Sequence, residues 1–310
     1  MATLLDNYFA IAEETTYGTA IANAQLTRGV EGRADTFTVR GEFHDNSGFH
    51  VGKQSALVEQ HITRILGGSG SIQTCLFDKN MGLLLKNVLG SSSSAALSGA
   101  AGAFTQEFET TSDGPTKSYT IQINRVDVDG TDQVYTYAGC VPTGFSFRVN
   151  RNDMPMVQVD FDFAVETHSS TKATPTYPTA NPYAWDMFEL QIDGADVEEL
   201  HNFSLTAGLM MKTDRFYLRG SANSTTKKQP VRMGVPTYTG NMDFDLTATN
   251  QDLYTKFKTG DPVKLVLTGT HSEDAGTGRK AEAKVTIEKA ILTGQTPKAC
   301  LLYTSPSPRD

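Results

Sequence analysis

One feature constrains this chain more than its composition does: the sequence resembles itself. The stretch Gly240–Gly260 follows Gly70–Gly90 at a constant spacing of 170 residues. Within it Gly70/Gly240, Leu76/Leu246, Asn80/Asn250, Leu83/Leu253, Lys86/Lys256 and Gly90/Gly260 coincide. Average composition would give roughly one or two coincidences in such a window. Self-similarity at this spacing predicts two copies of one structural unit. The hydrophobic pattern agrees. Ile72, Thr74 and Leu76 correspond to Met242, Phe244 and Leu246, each alternating with polar or small neighbours. Alternation of that kind is the mark of a half-buried strand.

A short helix is predicted next in both copies. Asn80 and Asn250 stand where a side-chain oxygen can accept from a free first-turn N–H. Gly90 and Gly260 stand where a left-handed residue ends a helix. Between the first pair, Met81, Leu84, Leu85 and Val88 fall at i, i+3, i+4 and i+7 and make one apolar face. The second helix carries Leu253, Tyr254 and Phe257 in a less regular array.

The rest reads as strand. Phe145, Phe147 and Val149 alternate with Ser146 and Arg148. After the turn-forming Asn150-Arg151-Asn152-Asp153-Met154-Pro155 come Val157, Val159, Phe161, Phe163 and Val165, alternating with Gln158, Asp160, Asp162 and Ala164. Tyr119–Val126 and Gln133–Tyr137 flank a second turn, and Lys264–Thr268 and Ala281–Ile287 flank a third. Ser91–Ala103 is small and polar and is expected to be a mobile loop. Glu166–Trp185 contains Pro175, Pro178 and Pro182 and is expected to join the copies.

The expected layout is an N-terminal arm over 1–27, a first β unit over 28–165, a Pro-containing linker over 166–185 and a second β unit over 186–299. Residues 300–310, CLLYTSPSPRD, resemble a sequencing adaptor translated in frame, which would cut the second unit short. The fold class expected is mainly β, two tandem sandwich or barrel units, each with one short flanking helix.

Charge and cysteine content exclude several functions. The formal net charge of −8 disfavours a protein that grips nucleic acid through its phosphates. The start lacks the basic and apolar segments of a secretory signal. Three cysteines, two without Cys300, do not make a disulfide framework and fit a reducing compartment.

The search for chemistry finds no constellation. Gly67-Gly68-Ser69-Gly70-Ser71 lacks the last glycine of a nucleophile elbow. His44 and His50 form a weak metal pattern, read as a solvated loop. Asp127, Asp129 and Asp132 lack the terminal Glu of a calcium loop and read as a turn. Cys75 reads as a small packed hydrophobe on a strand. Asn202-Phe203-Ser204 and Asn223-Ser224-Thr225 match a glycosylation pattern without a secretory route. No catalytic residue, cofactor or metal is expected, and the chain reads as not an enzyme.

Glu14-Thr15-Thr16-Tyr17-Gly18-Thr19 resembles the E-x-x-Y-G-T opening of siphophage major tail tube proteins. Gly41, the strand–Gly70–strand–helix–Gly90 unit, and Tyr137-Ala138-Gly139-Cys140 leading into Phe145–Phe163 are similar to that family too. The resemblance runs from Glu14 to Pro297. It implies a structural virion protein of the tail that forms six-fold rings, stacked into a hollow tube for DNA ejection. It also implies tape-measure, terminator and distal-tail partners, passage of phage DNA without specific binding, no membrane, and assembly in the bacterial cytoplasm. Two copies per chain suggest a trimeric ring with pseudo-six-fold symmetry, a hexamer being the alternative. A lumen wall should repel phosphate, so Asp160, Asp162, Asp243 and Asp245, on polar strand faces, are the expected lumen acids. Against this stands a carbohydrate- or receptor-binding sandwich of the tail surface, which needs an aromatic platform and has only Trp185. A β-scaffold hydrolase is weaker still.

Overall fold

A computed structural model describes residues 7–45, 61–98, 100–110, 114–197, 200–218, 227–245 and 252–293. Nineteen strands, two short α-helices and two single-turn 3-10 helices make up the regular structure among them. The N-terminal half contains β1 (Tyr8–Glu13), β2 (Arg28–Val30), β3 (Gly32–Asp35), β4 (Thr38–Asp45), β5 (His61–Cys75), α1 (Gly82–Leu89), β6 (Gly90–Ala96), β7 (Phe104–Thr110), β8 (Tyr119–Val126), β9 (Asp132–Asn150), β10 (Met156–Phe163) and β11 (Val165–Ser169). The C-terminal half contains β12 (Phe188–Ile192), β13 (Ala195–Val197), β14 (Leu200–Gly208), β15 (Met211–Lys212), β16 (Val231–Arg232), β17 (Thr237–Phe244), α2 (Asp252–Thr259), β18 (Pro262–Gly276) and β19 (Arg279–Ile291).

The long strand β9 organises the molecule. Its first half pairs with β8 and β11, its second half with β10 and β14. Gly139 allows the change of direction. Its φ is +72°, and a Cβ there would lie 2.9 Å from the Ala164 methyl and 3.1 Å from the Tyr17 ring. One sheet therefore runs β2-β1-β8-β9-β10-β5-β3, with β4 also on β5 and β14 bringing β17 to the other side of β9. A second sheet runs β13-β12-β18-β19.

The alternation in β10 does what the pattern predicts. Val157, Val159, Phe161 and Phe163 enter one apolar core with Ile72, Phe147, Tyr119 and Tyr137. Phe37 stacks on Tyr137 at 4.5 Å between ring centres. Each fully buried side chain of this size contributes about 2–3 kcal/mol by removal of apolar surface from water. Phe203, Leu190, Leu265 and Leu267 of the second half belong to the same core. Met81, Leu84 and Val88 of the α1 face are buried beneath it, and Cys75 is buried on β5.

Three expectations need correction. Asn80 does not cap α1. Met81 occupies the cap position without a side-chain cap, while Asn80 is left-handed (φ 69°) and its amide donates to the Gly29 carbonyl at 2.6 Å. The same side chain suits either role, and here the carbonyl of β2 claims it. Gly90 and Gly260 keep their expected positions with φ +110° and +74°. Ser91–Ala103 is not simply a loop. Gly90–Ala96 pairs with Phe104–Thr110 as the hairpin β6–β7, because ladder hydrogen bonds need no side-chain pattern. The stretch expected as a linker begins as a strand, β11 on β9, and then packs on the first half: Thr176 bridges Arg28, Pro182 bridges Phe77, and Tyr183 is buried. Asn250, Leu246, His50, the Asn223 glycosylation match and residues 300–310 lie outside the described residues.

Candidate functional site

One face of the sheet β5-β10-β9-β14-β17 carries rows of polar side chains. Directly paired residues share a face. One row runs Gln73, Gln158, Ser146, Thr206, Thr239. A second runs Arg148, Ser204, Asn241, and a third Asn150, Asn202, Asp243. At ordinary strand spacing the five strands cover about 19 Å. The opposite face of the same strands carries the core residues Val157, Val159, Phe147 and Phe203.

Asp160 lies on this polar face, half-buried. Its Oδ1 accepts from Gln158 Nε2 at 2.8 Å, and it sits opposite Gly144, where a Cβ would come within 2.8 Å of its Oδ2. Asp243 is exposed on the same face and accepts from Asn202 Nδ2 at 3.1 Å. Asp245 follows just past β17, exposed, with its Oδ2 3.2 Å from His201 Nε2. Asp162 departs from the expectation. It follows Asp160 by alternation but is buried under the segment between β15 and β16, whose Lys227 Nζ lies 2.6 Å from its Oδ1. Alternation sets which face a side chain takes, not what lies over it. Burial pushes the Asp162 carboxyl up to about 6, against the opposing pull of Lys227.

The Glu14–Thr19 segment has a structural task that its short motif did not reveal. The Glu14 carboxylate is 3% exposed and accepts four hydrogen bonds. They come from Gly18 N (3.0 Å), Ser118 Oγ (2.6 Å), Thr120 Oγ1 (3.0 Å) and Gly139 N (2.7 Å). Tyr17 lies against Gly139. The motif therefore locks the N-terminal arm onto β8 and onto the bend of β9. Burial raises the Tyr17 hydroxyl above its usual range, with Asp162, Cys140 and Glu14 adding to it.

The remaining candidates resolve locally. Asp127 closes its turn by accepting from the backbone N–H of Asp129 at 3.0 Å and of Thr131 at 2.8 Å. Those bonds and Gln133 hold its carboxyl below the usual range. His44 Nε2 lies 3.8 Å from Glu42 Oε2. Among the described residues no three His, Cys, Asp or Glu gather as a metal site, and no helix is long and apolar enough to cross a membrane.

The class that these observations define is a mainly β protein built on large antiparallel sheets. The model of a family described as phage tail tube protein matches residues 5–298, and the chain belongs to that family. It is a structural component of the phage tail. No curated protein matches the chain.

Proposed function

We propose that this chain is the major tail tube subunit of a long-tailed phage or prophage. It assembles with itself into stacked rings whose bore conducts DNA at ejection. The observation that supports this most is the seam between β9 and β14. There a strand of the C-terminal half extends a sheet of the N-terminal half, from Asn202↔Asn150 to Gly208↔Gly144. The strand order β2-β1-β8-β9 recurs as β13-β12-β18-β19, and β4 on β5 recurs as β14 on β17. Both observations support two copies of one unit in each chain. On that reading the seam is a copy-to-copy contact made within one chain. A second chain meets the free edge in the same way, and three chains close a ring of six units. Unpaired strand edges are an aggregation hazard in a monomer and are consumed when such a ring closes.

The polar face is the wall of the bore. Amide and hydroxyl side chains offer phosphate no charge to release counterions against, and Asp160 and Asp243 repel it. Arg148 is a base on that face, paired with Ser204 and Met156. The tape-measure protein occupies the bore during assembly in the host cytoplasm, and terminator and distal-tail proteins meet the two ends. Negative-stain electron microscopy of the purified chain tests this. Hollow tubes of uniform width are expected. Monomers that persist under crowding and high salt contradict it.

A further inference from the structure

Three sulfur atoms converge where the end of β5 meets the start of β10. Cys75 is the last residue of β5 and stands directly opposite Met156, the first residue of β10. Cys75 Sγ lies 3.8 Å from Met156 Sδ and 3.8 Å from Met154 Sδ. A thiol has one hydrogen and gives it to one thioether at a time, so the cluster holds more acceptors than its donor can serve. A metal ion in place of that proton has no such limit. Metal–sulfur bonds of about 2.3 Å around one ion put neighbouring sulfurs about 4 Å apart in a trigonal plane. Both separations are close to that spacing. The donor set selects the ion. A thiolate with two thioethers is soft and suits Cu(I), whereas harder ions need carboxylate or imidazole ligands. Among the described residues no three His, Cys, Asp or Glu gather to supply those. Local charge selects in the same direction. Arg33 Nη1 lies 3.5 Å from Met156 Sδ and 3.9 Å from Cys75 Sγ. A monovalent ion on a thiolate is neutral beside that guanidinium, and a divalent ion would leave a net positive charge there.

We propose that Cys75, Met154 and Met156 form a binding site for a soft monovalent metal ion of the Cu(I) class. On binding, the Cys75 thiol gives its proton to solvent and the thiolate bonds the ion, while the two thioethers complete three-coordination. The ion keeps its oxidation state, so no oxidant or reductant is consumed. The site has a way in. Met154 is 46% exposed, and a cavity of about 400 Å³ opens at it, lined also by Arg33, Asn152, Asp153 and Trp185. Asp153 Oδ1 accepts from the Met154 N–H at 2.8 Å and fixes the turn that presents this ligand. Cys75 and Met156 are buried behind it, so the ion is held out of bulk water. Cys75 is thereby more than the packed hydrophobe that its place on a strand suggests. A bound ion ties the turn between β9 and β10 to β5 and adds to the stability of the folded chain alone.

Anaerobic titration of the full chain with Cu(I), in competition with a chromophoric chelator, is the test. A Cys300→Ser background removes the thiol that lies outside the described residues, and Cys140, fully buried, is common to every variant. A single tightly held ion is expected, with a copper X-ray absorption spectrum that shows three sulfurs in one shell. Cys75→Ser should abolish the tight binding. Met154→Leu and Met156→Leu should each weaken it by about 10-fold or more, the scale that loss of an outer-shell partner already reaches. Met154 is exposed enough for its replacement to leave the fold intact, which circular dichroism checks. Equal affinity in the parent and in Met154→Leu or Met156→Leu, or a copper shell with fewer than three sulfurs, overturns the proposal. The measurement needs no tubes, so its failure is distinct from failure of the proposed assembly.

Discussion

Strands β5 and β17 are each followed by an eight-residue helix, yet they live in different surroundings. Strand β5 lies between β10 on one side and β3 and β4 on the other, and Ile72 and Thr74 are sealed in. Strand β17 pairs with β14 alone among the described residues, and Thr237 through Asn241 are exposed. The difference is one neighbour. Met156–Phe163 supplies β5 with a second ladder and with Phe161 and Phe163, and β17 has no described counterpart to it. Two strands of similar pattern can thus be sealed in at one place and exposed at another.

The largest expected contrast is between Phe161→Ala and Tyr238→Ala. Phe161 is fully buried beside β5, and its truncation should cost about 3–5 kcal/mol. Tyr238 is 41% exposed on β17 and should cost under about 1 kcal/mol. Urea midpoints of the two variants measure the gap, and equal losses would break the comparison. Next comes Glu14→Gln, which replaces the common acceptor of four donors with an amide that can accept through one oxygen only. A loss of about 1–3 kcal/mol is expected, with the N-terminal arm losing hydrogen-exchange protection first.

Gly70→Ala and Gly240→Ala sharpen the parallel. A Cβ at Gly70 would lie 2.5 Å from the Phe37 ring, and one at Gly240 would lie 2.4 Å from the Ser204 carbonyl oxygen. Both should lose about 1–3 kcal/mol by forcing neighbouring strands apart. A loss at only one of them would separate the two sites. The smallest effect is expected for Thr239→Arg, on the polar face of the exposed edge. Its urea midpoint should stay within about 0.5 kcal/mol of wild type. A gel-shift assay with duplex DNA at low salt should show retention only in the variant.

Much of this was legible from local pattern. Alternation at Val157–Val165 placed β10 and its core face, and the spacing of Met81, Leu84 and Val88 placed α1. The repeat picked out β17 and α2, and the short motif at Glu14 pointed to the family. What stayed hidden was not local. The strand β9 runs through Gly139, Pro142 and Gly144, residues that read as breakers, because one positive-φ glycine bends the strand without ending it. The hairpin β6–β7 has no hydrophobic pattern to announce it. The partnership of Lys227 with Asp162 spans 65 residues, and Lys227 stands in a polar stretch without periodicity. Burial of Asp162 follows from that segment and not from its own strand.

The central claim is that each chain brings two units to a ring. Cryo-electron microscopy of assembled tubes measures this most directly. The account predicts three chains per ring, six quasi-equivalent units around the bore, and the β9–β14 pairing repeated between chains. Six chains per ring, or chain contacts that do not repeat the β9–β14 pairing, would contradict it.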